Sequence, residues 1–229
     1  MLREAENLLK DYSVIIYPPS FNKIKDDIFI FVAKIKKEKY IGLIKSNITF
    51  YLSLPYFPED KRLNNSYFLN LYPFNFENYK KLSEIISLSP SPCDKNTSFG
   101  TGDRLGLITS AQLSALREYN LFPILAQQSP RELIKTKRNF GDVLLKSVLG
   151  VLENGYLGKF GADADHIKDE KYLMEAIEAG YTMYTLDISD FIEKISELSI
   201  KELQEKFEKI SPFSKKIIEK YAGKSLRIS

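Results

Sequence analysis

The chain has 229 residues with 33 Lys+Arg against 30 Asp+Glu, a formal charge of +3, and 44% hydrophobic and 28% charged content. The near-even charge excludes a chain built to coat nucleic acid, and the composition is that of a folded globular protein rather than a disordered one. No apolar run reaches the ~20 residues that cross a bilayer, the start MLREAENLLK lacks the apolar core of a signal peptide, and the single cysteine, Cys93, excludes an internal disulfide, so the expected setting is the cytoplasm, away from membranes.

In chain order, residues 1–10 predict a charged amphipathic helix. Runs rich in β-branched and aromatic residues follow at 13–17, 28–33, 40–44, 48–52 and 67–71, and the alternation in several of them predicts half-buried strands. A helical pattern over 77–88 ends at Ser89-Pro90-Ser91-Pro92, where the prolines forbid continuation and predict a linker. Residues 1–93 are thus expected to form a small β-rich α+β region.

Residues 97–229 read as a regular alternation of strand and helix. A strand end at 98–102 runs into a Gly-rich turn, followed by a helix with Thr109 as N-cap and Gln112 closing a capping box. A strand at 122–126 precedes a helix opened by Ser129-Pro130-Arg131-Glu132, and a helix over 141–153 stops at Gly155. A third strand is predicted at 159–162, a helix at 169–179 ending at Gly180, and a fourth strand at 182–186. Helical stretches follow at 191–198, at 201–210 (capped by Ser199 with Glu202) and at 214–221. Strand–helix units joined by short loops predict a parallel sheet with right-handed crossovers, and ligands of such sheets sit beyond the carboxyl ends of the strands. Polar residues fall at those ends: Asp103-Arg104, Gln127-Gln128, Asp163 to His166, and Asp187.

The segment Gly161-Ala162-Asp163-Ala164-Asp165-His166-Ile167-Lys168 is the richest in chemistry, and His166 is the only histidine, so any imidazole chemistry passes through it. In one reading His166 coordinates a divalent metal while Asp165 stays free as a base. In the other, Asp163 and Asp165 cap the next helix and His166 is solvated. A zinc-type centre needs at least three ligands, for which Asp187, Asp103 and Gln128 are oxygen-bearing candidates. The turn Gly100-Thr101-Gly102-Asp103-Arg104 resembles an anion-binding turn, with close backbone approach at the glycines and a bidentate fork at Arg104; its alternative is an Asp103–Arg104 structural turn. Gln127, Gln128 and Asp187 are equally open between ligand contact and finishing a strand or capping a helix.

The run Phe99-Gly100-Thr101-Gly102-Asp103-Arg104-Leu105-Gly106, then Pro123-Ile124-Leu125-Ala126-Gln127-Gln128-Ser129 with Arg131-Glu132-Leu133, then Phe160 to Lys168, and finally Gly180-Tyr181-Thr182-Met183-Tyr184-Thr185-Leu186-Asp187 resembles the tagaturonate/fructuronate epimerase family. The resemblance covers residues 97–190 well and 1–96 loosely. It implies a barrel-like α/β catalytic fold, so that residues 97–229 are expected to be a partial TIM-barrel-like (βα) repeat of four units. It also implies a divalent metal and interconversion of D-tagaturonate and D-fructuronate in hexuronate breakdown. Asp165 falls on the family's proton acceptor and His166 on a metal ligand. Arg104 becomes a candidate for the substrate carboxylate, with Asp103, Gln127, Gln128, Asp163, Lys168 and Asp187 as further substrate-binding candidates. The family's members are about twice as long, and their remaining ligands and proton donor lie in a later half. The chain is therefore expected to supply one ligand, to bind metal weakly and turn over little alone, and to associate with a complementary C-terminal half or with itself through unpaired strand edges. Two rival readings are another barrel enzyme acting on a sugar phosphate, and a non-catalytic fragment that binds a partner chain.

Overall fold

A computed structural model of the chain describes residues 1–46, 50–103, 105–191 and 198–221. The chain divides into two compact units, Met1–Asp187 and Ile188–Ser229.

The first unit opens with helix α1 (Leu2–Leu9) and an antiparallel sheet. Its strands run in the order β1 (Val14–Ile16), β3 (Ile28–Ile35), β4 (Glu38–Lys45), β6 (Phe68–Pro73) and β5 (Lys61–Arg62), and β2 (Asn22–Lys25) pairs with β3. The expectation of half-buried strands is corrected for β3, which is buried on both faces. Ile28, Ile30 and Val32 point into one core, and Phe31, Ala33 and Ile35 into another that Ala5 and Leu9 of α1 complete. A strand covered on both sides needs apolar residues at both parities, so its sequence runs rather than alternates. Residues 50–52 form no strand, and positions 48 and 49 lie outside the described residues; the Phe50 carbonyl instead accepts a hydrogen bond from the buried Lys45 Nζ at 3.0 Å. Helix α2 (Phe76–Ser83) is shorter than predicted and starts at Asn75, whose Oδ1 accepts the Asn78 N–H at 2.9 Å.

The second sheet is parallel throughout, in the order β10 (Met183–Leu186), β9 (Gly161–Ile167), β8 (Phe122–Gln128), β7 (Ser98–Gly100). Helices α3 (Thr109–Leu116), α4 (Pro130–Thr136) with α5 (Phe140–Asn154), and α6 (Glu170–Ala179) make the connections, so strand and helix alternate as predicted. The stretch expected as a linker is docked on this sheet: the Ser91 N–H donates to the Phe160 carbonyl at 2.8 Å, and Thr182 Oγ1 donates to the Ser91 carbonyl at 3.1 Å.

Helix α5 joins the two sheets. Val143, Leu144, Val148 and Val151 share one core with Ile30, Leu43 and Tyr72 of the first sheet and with Leu125, Ala162 and Ala164 of the second. A helix apolar on nearly every side is one buried on nearly every side. It ends at Gly155, which has φ +67° and returns its N–H to the Leu152 and Val151 carbonyls. A methyl group there would meet the Pro19 carbonyl oxygen. Gly155→Ala is expected to lose about 3 kcal/mol, from the left-handed backbone together with the collision, and a urea unfolding midpoint unchanged from the parent would contradict this.

The second unit contains a 3-10 turn at Ser189–Phe191, α7 (Ile200–Lys209) and α8 (Pro212–Tyr221). Helix α7 opens with the predicted pair: the Ser199 N–H donates to Glu202 Oε2 at 2.8 Å, and the Glu202 N–H donates to Ser199 Oγ at 3.3 Å. The helix expected at 191–198 falls largely outside the described residues. No helix among the described residues is long and apolar enough to cross a membrane.

Candidate active site

Strand β9 starts at Gly161 and runs through Ile167, so Asp163, Asp165 and His166 lie within the strand and not in a loop following a strand at 159–162. The segment Ala162-Asp163-Ala164-Asp165 has period two. Ala162 and Ala164 are fully buried in the core that α5 shares, and the pleat turns Asp163 and Asp165 to the opposite face.

Asp163 is itself only 2% exposed. Its carboxylate accepts hydrogen bonds from Gln127 Nε2 at 3.2 Å and from the Thr185 hydroxyl at 3.0 Å to each oxygen, which ties β8, β9 and β10 together across one face. Burial pushes this carboxyl above the ordinary carboxylate range, and the neighbouring Asp165 charge adds to the rise; the Thr185 and Gln127 hydrogen bonds oppose it. A raised folded pKa means that the native state holds its proton longer than the unfolded chain does. Stability then falls as pH climbs from the unfolded value of 3.8 through the folded one. Asp163→Asn removes that dependence. Its stability relative to the parent is expected to rise over that window and level off above it, in urea titrations at stepped pH; a difference that is flat or falls would contradict the assignment.

Beyond Asp163 the strand carries a bulge. Ala164 pairs with Tyr184 and Ile167 with Leu186, so Asp165 and His166 together oppose the single residue Thr185. His166 takes up the extra length with φ +53°, in the left-handed region that a side chain with a Cβ seldom occupies. Bulges re-aim side chains, and this one sends two successive functional groups to the strand end. Asp165 Oδ2 lies 3.6 Å from His166 Nε2, and Asp187 Oδ2 lies 3.3 Å from His166 Nδ1 and 3.7 Å from Lys168 Nζ. The imidazole is 59% exposed, whereas the Asp165 and Asp187 side chains are 24% and 17% exposed.

His166 can supply one corner of a divalent-metal centre through a ring nitrogen. It does not make a whole centre: no group of three His, Cys, Asp or Glu side chains among the described residues is placed to hold a metal. The two carboxylates flank the imidazole on opposite nitrogens.

The other candidates are distributed unevenly. Gln127 joins the cluster through Asp163, and Lys168 through Asp187. Asp103 is turned inward: its carboxylate accepts the N–H groups of Leu105, Gly106 and Ile108 at 3.2, 2.8 and 2.7 Å and the Thr109 hydroxyl at 3.3 Å, which is the work of a loop cap. The predicted Thr109–Gln112 capping box does not form, since Thr109 turns to Asp103 and Gln112 Nε2 donates to the Thr101 carbonyl at 3.0 Å. Gln128 is wholly buried, with neither amide atom hydrogen bonded among the described residues. Arg104 lies outside the described residues. The sequence reading missed Thr185, which only the β9–β10 register places against Asp163, and the bulge itself.

The tagaturonate epimerase family model matches residues 17–229. A tagaturonate/fructuronate epimerase of Thermotoga maritima is 39% identical over 196 residues, covering 85% of this chain and 40% of the relative. Crystal structures of a fructuronate-tagaturonate epimerase from Cohnella laeviribosi superpose with similar quality. The form with one glycerol bound gives a TM-score of 0.78 at 26% identity over 98% of this chain and 45% of that one. The native form gives 0.77 at 25% identity, over 99% and 46%. The chain thus spans less than half the length of the relatives it matches.

Proposed function

The chain belongs to the tagaturonate epimerase family, and on that premise we propose that it supplies the Asp165–His166 part of a metal-dependent C4 epimerase. The substrates are D-tagaturonate and D-fructuronate, the setting is cytoplasmic hexuronate breakdown, and the parallel sheet is part of a TIM-barrel-like catalytic fold. The remaining metal donors come from outside the described residues, in a complementary chain or a second copy. Alone, the chain binds metal weakly and turns over little.

C4 is β to the C2 ketone, so its hydrogen is not acidified by the carbonyl and enolisation does not invert it. Cleaving the C3–C4 bond does. Asp165 takes the proton of the C4 hydroxyl, C4 becomes an aldehyde, and the C3–C4 bonding pair passes to the ketone-bearing fragment as its enolate. The aldehyde turns its other face, the same pair re-forms the bond, and Asp165 returns the proton to the C4 oxygen. His166 Nε2 is the group that would hold a divalent cation, which would supply Lewis acidity to the substrate. Asp163 and Gln127 brace the strands beneath, and Arg104 and Lys168 are the candidate cations for the substrate carboxylate.

The observation that carries this reading is the bulge, which presents a carboxylate and the chain's one imidazole side by side at the strand end. The test is a full-length graft in which this chain replaces the matching stretch of the Thermotoga maritima relative. The graft is expected to interconvert the two hexuronates when supplied with divalent metal. A folded graft that binds the hexuronate but leaves it unchanged would contradict the reading.

A further inference from the structure

We infer that Asp187 is a positioning residue: it holds the proton of His166 on Nδ1 and so leaves Nε2 bare, facing the Asp165 side. The inference rests on the reading of His166 as a ligand through Nε2, and it adds the group that selects that nitrogen. Two carboxylates compete for the imidazole. Asp187 Oδ2 is 3.3 Å from Nδ1, within hydrogen-bond reach, whereas Asp165 Oδ2 is 3.6 Å from Nε2, beyond it. A neutral imidazole carries one N–H, and the shorter contact decides which nitrogen keeps it. The scaffold favours the same partner. Asp187 directly follows β10, and its own N–H donates to the Ile167 carbonyl at 2.9 Å, so its backbone is locked to the residue after His166. Lys168 Nζ lies 3.7 Å from the same carboxylate oxygen. The left-handed backbone at His166 sets where the ring projects, and Asp187 sets how it is turned. A carboxylate that orients a ligating histidine through its second nitrogen is a recurrent arrangement at metal centres.

Because the chain has one histidine, the tautomer can be read without ambiguity. In the 229-residue chain labelled with 15N-histidine, a long-range 1H–15N correlation spectrum at alkaline pH, where imidazoles are neutral, is expected to show a protonated Nδ1 and a bare Nε2. Asp187→Ala is expected to shift the population towards Nε2–H, and Asp187→Asn, which keeps the shape but loses the charge, to give an intermediate ratio. Lys168→Ala leaves the direct partner in place and is expected to keep the parental tautomer. A parent spectrum already dominated by Nε2–H, or an unchanged ratio in both Asp187 variants with the backbone spectrum preserved, would overturn the inference. Zinc titration of the same samples separates the two layers. Affinity about 10–100-fold weaker in Asp187→Ala supports the positioning role. If zinc leaves the His166 resonances of the parent untouched, His166 is no ligand and the metal reading fails, while the tautomer result stands by itself.

Discussion

Asp165→Asn in the full-length graft is expected to lower kcat about 1,000-fold while KM changes only a few-fold, because the amide keeps the shape of the carboxylate but cannot accept the C4 hydroxyl proton. The neighbouring Asp163 makes the control. Both are aspartates on the same face of β9, yet Asp163 is buried under Gln127 and Thr185 while the Asp165 side chain is partly exposed beside the imidazole. Asp163→Asn is therefore expected to alter stability and its pH dependence and to leave most of kcat intact. Steady-state kinetics on the two variants distinguish the roles, and a reversal, with Asp163→Asn inactive and Asp165→Asn near the parent, would move the base one pleat down the strand.

Asp103→Ala is expected to destabilise the 229-residue chain by about 3 kcal/mol, measured as a shift in urea midpoint. Three backbone N–H groups and one hydroxyl share this carboxylate, which is 6% exposed, and alanine leaves them without that acceptor. The bonds are not additive, since the loop opens once and water then reaches several donors together, so the loss falls well short of the separate values. Asp103→Asn keeps one acceptor oxygen and is expected to recover part of it. If Asp103→Ala unfolds at the parental midpoint, the residue is free for a ligand after all and its place among the substrate contacts is restored.

The parts of the fold written in the sequence are those with local causes. The 129–132 segment opens α4, with the Ser129 N–H donating to Glu132 Oε2 at 3.3 Å, and Gly155 and Gly180 both close helices in the left-handed conformation. Four parallel strands alternating with helices followed from the same punctuation. What stayed hidden depends on partners distant in the chain. Residues 28–33 look like one face of a sheet until a helix from residues 140–154 is known to cover the other side. Reading Asp163, Asp165 and His166 as loop chemistry ends the third strand at 162, although the Ala-Asp-Ala-Asp alternation has the period of a strand and β9 runs over Gly161–Ile167. The cluster of candidates was legible as residue types; the bulge that turns Asp165 and His166 to one end, and the Asp187 contact on Nδ1, come from the β9–β10 register, which no local motif encodes.

Carbon–carbon cleavage at the Asp165–His166 end of β9 is tested most directly by running the metal-loaded graft in heavy water with the two separate three-carbon fragments, the ketone and the aldehyde acid. The expected result is that the fragments are joined into hexuronates of both C4 configurations, that epimerised hexuronate keeps its original hydrogen at C4, and that Asp165→Asn slows joining and epimerisation together by about 1,000-fold. Epimerisation that places solvent deuterium at C4, without joining the fragments, would contradict the mechanism and the role given to Asp165.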